Sequence, residues 1–201
     1  MNLQQSDALS ARETDHRVAN CLQFLTVMLR HESAEIVSAE DAREVLAKAA
    51  SRLAAMARVH RQLTSNALDD VVDLAAFLQP FCEDVADALA VPVNVEAAAV
   101  KLPAGMACEI GIILNEFATN SVKHARGGDG SAAVQVTATH EDGQLRIAFS
   151  DDGAGLPEQF SLDGSEGLGT MIMISSAGKI GGTIRVVPAQ GARLEIVAPL
   201  P

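Results

Sequence analysis

The stretch Ile110-Gly-Ile-Ile-Leu-Asn-Glu-Phe-Ala-Thr-Asn-Ser-Val-Lys-His-Ala-Arg126 constrains the chain more than any other. Ile110, Ile113, Leu114, Phe117, Ser121 and Val122 recur at helical spacing, while Glu116, Asn120 and His124 recur every four residues with Lys123 beside them. The spacing predicts one helix with two faces, one that packs and one that carries polar groups. A carboxylate, an amide oxygen and a cation stacked one turn apart suit hydrated Mg2+ and a polyphosphate, because Mg2+ prefers hard oxygen ligands and keeps several waters. Taken alone, the same face also describes an ordinary solvated helix surface. The rest of the chain decides between the two.

With 48% apolar residues in 201, the chain can bury a core as one large domain or two small ones. A net charge of −11 opposes contact with phosphate backbones, and six Phe without Trp or Tyr leave few platforms for bases, so nucleic acid is excluded as a partner. Cys21, Cys82 and Cys108 are odd in number and lack metal-ligand spacing, which makes them reduced, buried apolar residues. No run approaches the ~20 apolar residues of a membrane span, and the N-terminus has no basic segment followed by an apolar one. The expectation is a cytoplasmic protein.

From about Ser10 to Arg30, Val18, Cys21, Leu22, Leu25, Met28 and Leu29 form a helical stripe, and His16, Asn20, Gln23 and Val27 lie on another face. His16 is therefore expected to be accessible to solvent. Ser38-Ala-Glu-Asp41 has the form of a capping box with Asp for Glu, opening a second long helix whose stripe runs from Ala42, Val45, Leu46 and Ala49 through Leu53 and Met56 to Leu63. Two such helices cannot enclose a core, so a homodimer forming a four-helix bundle is the expected way to bury them.

Ser65–Asp70 reads as the boundary between a domain of residues 1–68 and one of residues 69–201. Asp73 is a plausible N-cap for a helix running to Leu89, with a kink expected at Pro80. Val91–Val95 reads as a strand, and Pro103 suits the first turn of the two-faced helix. Val134, Val136 and Ala138 alternate, Asp142-Gly143 turns, and Leu145, Ile147 and Phe149 alternate back; a second hairpin pairs Thr183–Val187 with Leu194–Ala198. Helices on one face of a mainly antiparallel sheet give an α+β two-layer sandwich.

Asp151-Asp152-Gly153-Ala154-Gly155 follows the Leu145–Phe149 strand directly. Its glycines let backbone approach a flat ligand, and Asp151 at the strand end suits an adenine amino group, although alone the segment describes a simple turn. Glu166-Gly167-Leu168-Gly169-Thr170 opens another helical pattern, whose first amides suit a phosphate or merely cap the helix.

In this order and spacing the three pieces resemble the N box, G1 box and G2 box of the GHKL-type ATP-binding domain: Asn115-Glu116 through Asn120 to Lys123-His124-Ala125, then Asp151–Gly155, then Gly167-Leu168-Gly169. Asp15-His16-Arg17-Val18-Ala19-Asn20-Cys21-Leu22-Gln23 is similar to the phosphoacceptor box of the HRxxN class of sensor histidine kinases, His-Arg-Val-Lys-Asn-Asn-Leu-Gln, with Ala19 for its Lys and Cys21 for its second Asn. The short Leu156–Glu166 lid also looks like this class, and the resemblance runs from about Asp15 to the C-terminus.

The resemblance implies a helical hairpin followed by a GHKL-type sandwich, and an ATP-dependent protein-histidine kinase. His16 accepts the γ-phosphoryl group and Asn120 holds Mg2+, while Glu116 orients water, metal or the acceptor imidazole. Asp151 reads adenine, with Gly153 and Gly155 in the turn beside it. Lys123 and His124 contact phosphates, and Gly167, Leu168 and Gly169 surround the phosphate tail. It further implies a response-regulator receiver domain as phosphoryl acceptor. With only fifteen residues ahead of His16, the input is expected from a separate sensory protein or a missing sensor domain. The alternative is a histidine phosphotransferase, which relays phosphate between receiver domains without ATP and has no need of intact nucleotide boxes.

Overall fold

The computed structural model describes residues 26, 29–30, 33–34, 36–64, 71–125, 133–157, 160–162 and 167–201. The chain divides into two compact units, Met1–Ala57 and Arg58–Pro201. Of the first predicted helix, Thr26, Leu29 and Arg30 fall among the described residues and are helical. His16, Asn20 and Cys21 lie outside them, as do Ser65–Asp70, Gly127–Gly130 and Glu166.

Helix α1 (Ala39–Thr64) starts where its capping residues dictate. The amide of Asp41 donates to Ser38 Oγ at 3.1 Å, and the amide of Val37 donates back to Asp41 Oδ2 at 3.2 Å. The first bond satisfies an amide that an uncapped helix would leave open, and the second ties the residue ahead of the cap back to the first turn. Glu40 and Asp41 in the first turn also complement the helix dipole. Leu46 and Leu53 are 66% and 47% exposed, and Ala50 and Ala57 are exposed between and beyond them. These four positions form one apolar seam at helical spacing.

In the second unit, strand β1 (Val71–Asp73) leads into helix α2 (Leu74–Leu89). Asp73 caps that helix as its sequence predicts, accepting from the amide of Ala76 at 2.9 Å. Phe77, Leu78, Phe81, Cys82 and Val85 form its buried face, with Phe77 and Phe81 stacked at 5.5 Å between ring centres. As its sequence predicts, α2 runs through Pro80 to Leu89, because this apolar face outweighs the one backbone bond that proline cannot make. Burial pushes the Cys82 thiol up to about 12, with Glu83 adding to the shift, so this cysteine packs as an apolar group.

Helix α2 ends at Ala90 in the left-handed region at φ 54°, and the amide of Val91 bonds back to Ala86 O. That closure occupies Val91, so the predicted Val91–Val95 strand forms two residues later as β2 (Val93–Ala97). Strand β3 (Lys101–Pro103) pairs with β1 in a separate two-stranded sheet. Pro103 therefore ends a strand opposite Val71, and the two-faced helix α3 (Ala104–Ala125) begins one residue after it rather than at it.

Strands β4 (Val134–Glu141) and β5 (Gln144–Asp151) form the first predicted hairpin, with Asp142 and Gly143 both at positive φ in its turn. Helix α4 (Leu168–Lys179) precedes the second hairpin, β6 (Thr183–Val186) and β7 (Arg193–Pro199). The main sheet runs β2-β4-β5-β7-β6; β2 and β4 are parallel and the other neighbours antiparallel. Register aligns Val136, Phe149 and Leu194 in one row and Ala138, Ile147 and Ile196 in the next. All six are buried in one core with residues of α2, α3 and α4, so the helices cover one face. Each such side chain contributes about 1.5–3 kcal/mol through burial.

Because alternation has period two, Asp151 shares the helix-facing side of β5 with Leu145, Ile147 and Phe149. A carboxylate thus ends a row of buried apolar side chains, under α3. The left-handed Ala90 is exposed, so Ala90→Gly should relieve its strain and stabilise the protein by about 0.5–1 kcal/mol, read as a higher midpoint of thermal unfolding.

Candidate functional site

Helix α3 carries its polar residues deeper than a solvated face allows. Asn115 and Glu116 are only 2% and 5% exposed, and both are partnered within the fold, as buried polar groups must be. Asn120 is half-buried, whereas Lys123 and His124 are exposed in the last turn, where cations complement the dipole. The predicted polar face is thus graded from buried to exposed along the helix.

Helix α4 runs antiparallel to α3. At its C-terminal end, Lys179 Nζ lies 3.0 Å from Glu109 Oε1. At its N-terminal end, Gly169 is so close to α3 that a Cβ there would sit 3.0 Å from Glu116 Oε2 and 3.3 Å from Asn120 Nδ2. The structure therefore brings Glu116, Asn120 and Gly169 together, although they are far apart in sequence. Gly167 is the N-cap and offers no side chain; its carbonyl accepts the amides of Thr170 and Met171. The first-turn amides of Leu168 and Gly169 are helix-end donors of the kind that bind anions.

Asp151 is held from three directions. Its Oδ1 accepts the amides of Gly153 at 3.0 Å and Ala192 at 2.9 Å, and its Oδ2 accepts the hydroxyl of Ser121 at 2.7 Å. Asp152 is committed elsewhere: its Oδ1 accepts the amide of Ala133 at 2.7 Å, ahead of β4. Gly155 has φ +85°, and a Cβ on it would lie 3.1 Å from the carbonyl of Gln190. Between this turn and α4, Leu156 and Leu162 pack against the core, with the Phe160 amide bonded to Pro157 O at 2.8 Å between them.

Two residues of this arrangement escape sequence reasoning. Ser121 falls in the apolar stripe of α3 and reads as packing. Gly191 reads as part of a hairpin loop, yet a Cβ there would overlap the Asp151 carbonyl and lie 2.8 Å from Oδ1. No local pattern announces either one, since both are defined by their contact with a strand end more than 25 residues away in sequence. The site places Asp151 with Ser121 and Gly191, and Glu116 with Asn120 and Gly169. Lys123 and His124 stand beyond them on α3, and His16 lies outside the described residues.

A buried acidic helix face against a glycine-opened helix, with a fixed carboxylate at a strand end, defines an ATPase-type domain of the kind found in histidine kinases. Residues 109–201 match the model for the family described as "Histidine kinase-, DNA gyrase B-, and HSP90-like ATPase", and residues 13–89 match the one described as "Histidine kinase". The chain belongs to the histidine kinase family that the two define together. It is 28% identical over 186 residues to Blue-light-activated histidine kinase 2 of Erythrobacter litoralis, covering 87% of this chain and 52% of that protein. It is 30% identical over 201 residues to the sensor histidine kinase PdtaS of Mycolicibacterium smegmatis, covering 94% of this chain and 39% of that one. The chain thus spans about half the length of the curated relatives it matches, or less. Among solved structures, the histidine kinase domain of an Erythrobacter litoralis blue-light-activated kinase superimposes with a TM-score of 0.71 and 27% identity, over 98% of this chain and 96% of that one. These relatives are kinases and lend no support to the phosphotransferase alternative. No helix among the described residues is long and apolar enough to cross a membrane.

The close approach at Gly191 gives a direct test. Gly191→Ala should lower stability by about 1–3 kcal/mol through overpacking against Asp151. Gly178→Ala, where a Cβ meets nothing within 4 Å, should be neutral or slightly stabilising. Thermal unfolding of the two variants side by side checks this.

Proposed function

We propose that this chain is an ATP-dependent protein-histidine kinase that phosphorylates His16 and passes the phosphoryl group to the aspartate of a response-regulator receiver domain. The observation that carries this reading is the convergence of Glu116, Asn120 and the first turn of α4, with Asp151 fixed at the end of β5. On this reading Asp151 accepts the adenine amino group, and Gly153 and Gly155 let the backbone approach the base. Leu168 and Gly169 direct amides at the phosphates beside Gly167, and Lys123 and His124 contact the phosphates at the rim.

The donor set fits Mg2+. Asn120 offers an amide oxygen and Glu116 a carboxylate at one place, and the missing side chain of Gly169 leaves room beside them. When bound, Mg2+ neutralises phosphate charge. Among the described residues no cluster of three or more His, Cys, Asp or Glu is arranged to hold a metal by itself, which suits an ion that takes its other ligands from phosphate and water. Glu116, near the reacting end of the nucleotide, orients the acceptor imidazole or a water. The neutral imidazole of His16 attacks the γ-phosphorus, ADP leaves, and a phosphoramidate remains. Positioning supplies most of the acceleration in such a transfer, which is why rigid placement of these groups matters.

The domain division proposed is a phosphoacceptor and dimerisation hairpin over residues 1–68 and an ATP-binding domain over residues 69–201, in the cytoplasm. The seam of Leu46, Ala50, Leu53 and Ala57 on α1 supports homodimerisation, since exposed leucines at helical spacing gain about 1.5–3 kcal/mol each when buried. The double variant Leu46→Glu/Leu53→Glu should shift the protein from dimer to monomer in analytical ultracentrifugation, with its nucleotide affinity retained.

Separating the two halves of the proposal tests it. His16→Ala should bind ATP like the wild type yet take up no label from γ-labelled ATP. Asp151→Asn should weaken ATP binding by about tenfold or more, because an amide in place of the carboxylate loses a charge-assisted acceptor. Acid-stable label, or label retained in His16→Ala, would overturn the assignment of His16.

A further inference from the structure

Ser121 sits in the packing stripe of α3, yet its hydroxyl does not behave as a packing group. It is 6% exposed, with Oγ 2.7 Å from Asp151 Oδ2 and 3.1 Å from the carbonyl oxygen of Phe117. A serine hydroxyl has one proton to donate, so it serves one of these acceptors at a time. The bond to Phe117 is the back-bond that any helical serine can make. Directing the proton there would leave an oxygen lone pair facing a carboxylate oxygen at 2.7 Å. The charged acceptor is the stronger one, and the short distance is that of a charge-assisted bond. The proton therefore points at Asp151.

A carboxylate has about four acceptor positions. Both on Oδ1 are taken, by the amides of Gly153 and Ala192, and one on Oδ2 is taken by Ser121. Among the described residues no donor takes the remaining position, on Oδ2, and the three donors fix its direction. We propose that Ser121 is a positioning residue for base recognition: by pinning Oδ2 it presents the last acceptor position of Asp151 to the 6-amino group of a purine. It thereby sets the preference for a 6-aminopurine over a purine with hydrogen or oxygen at that carbon. This rests on the reading of Asp151 as the adenine-recognising residue. Without the hydroxyl, the two amides still hold Oδ1 but Oδ2 loses the donor that fixes it, so its remaining acceptor position is aimed less sharply and an acceptor at position 6 is opposed less strongly.

The test measures affinities of the full chain, with Mg2+, for ATP, for purine riboside triphosphate, which has hydrogen at position 6, and for GTP. Ser121→Ala should weaken ATP about tenfold, the scale of one charge-assisted hydrogen bond, while leaving purine riboside triphosphate within about twofold. The ATP preference over both analogues should narrow accordingly. Ser121→Thr, which keeps the hydroxyl, should restore it, and Ser121→Cys, which keeps the volume with a weak donor, should resemble Ser121→Ala. Equal losses for ATP and purine riboside triphosphate would show that Ser121 only packs, and an unchanged preference in Ser121→Ala would overturn the inference while leaving Asp151 as the adenine residue. A wild type that binds no ATP would overturn both.

Discussion

The carboxylate of Asp151 is bound by donors from three separate parts of the chain: Ser121 on α3, Gly153 in the turn after β5, and Ala192 ahead of β7. Each bond to a charged acceptor is worth about 1.5–3 kcal/mol, more than a neutral one, and each ties a different element to the same strand end. The arrangement exists because β5 alternates. Leu145, Ile147 and Phe149 must face the helices to be buried, so Asp151 faces them too. A carboxylate under a helical layer is tolerable only when its oxygens are satisfied. Ser121 and the two amides meet that condition.

The second half of the site depends on a side chain that is missing. Gly169 lets the first turn of α4 come within reach of Glu116 and Asn120, while the ion pair of Lys179 with Glu109 ties the far ends of the same two helices. Bulk at Gly169 would separate the helix-end amides from the polar face of α3. Bulk at Gly191 would displace Asp151. Two glycines, one on each side of the site, therefore set the spacing between the Asp151 carboxylate and the helix-start amides of α4, which the proposed reading assigns to the base and to the phosphates.

Most of the fold is legible in the sequence because it is written in local periodicities. The alternation of Val134–Ala138 and Leu145–Phe149, the Asp142-Gly143 turn and the Asp73 and Ser38 caps each announce an element within a few residues. The places where the reading slips are settled by competition between neighbours. Val91 is drawn into the closure of α2, and Pro103 ends a strand opposite Val71. The site was legible as three glycine- and acid-bearing segments in a familiar order. Ser121 and Gly191 were not, because their importance lies in contacts made across the fold.

The central claim is that α3, the Asp151 turn and the start of α4 form one nucleotide site. Amide hydrogen exchange of the full chain, with and without ATP and Mg2+, tests it most directly. The account predicts slowed exchange confined to residues 115–124, 151–157 and 167–171. Protection at only one of these segments, or at none of them while ATP is bound, would contradict it.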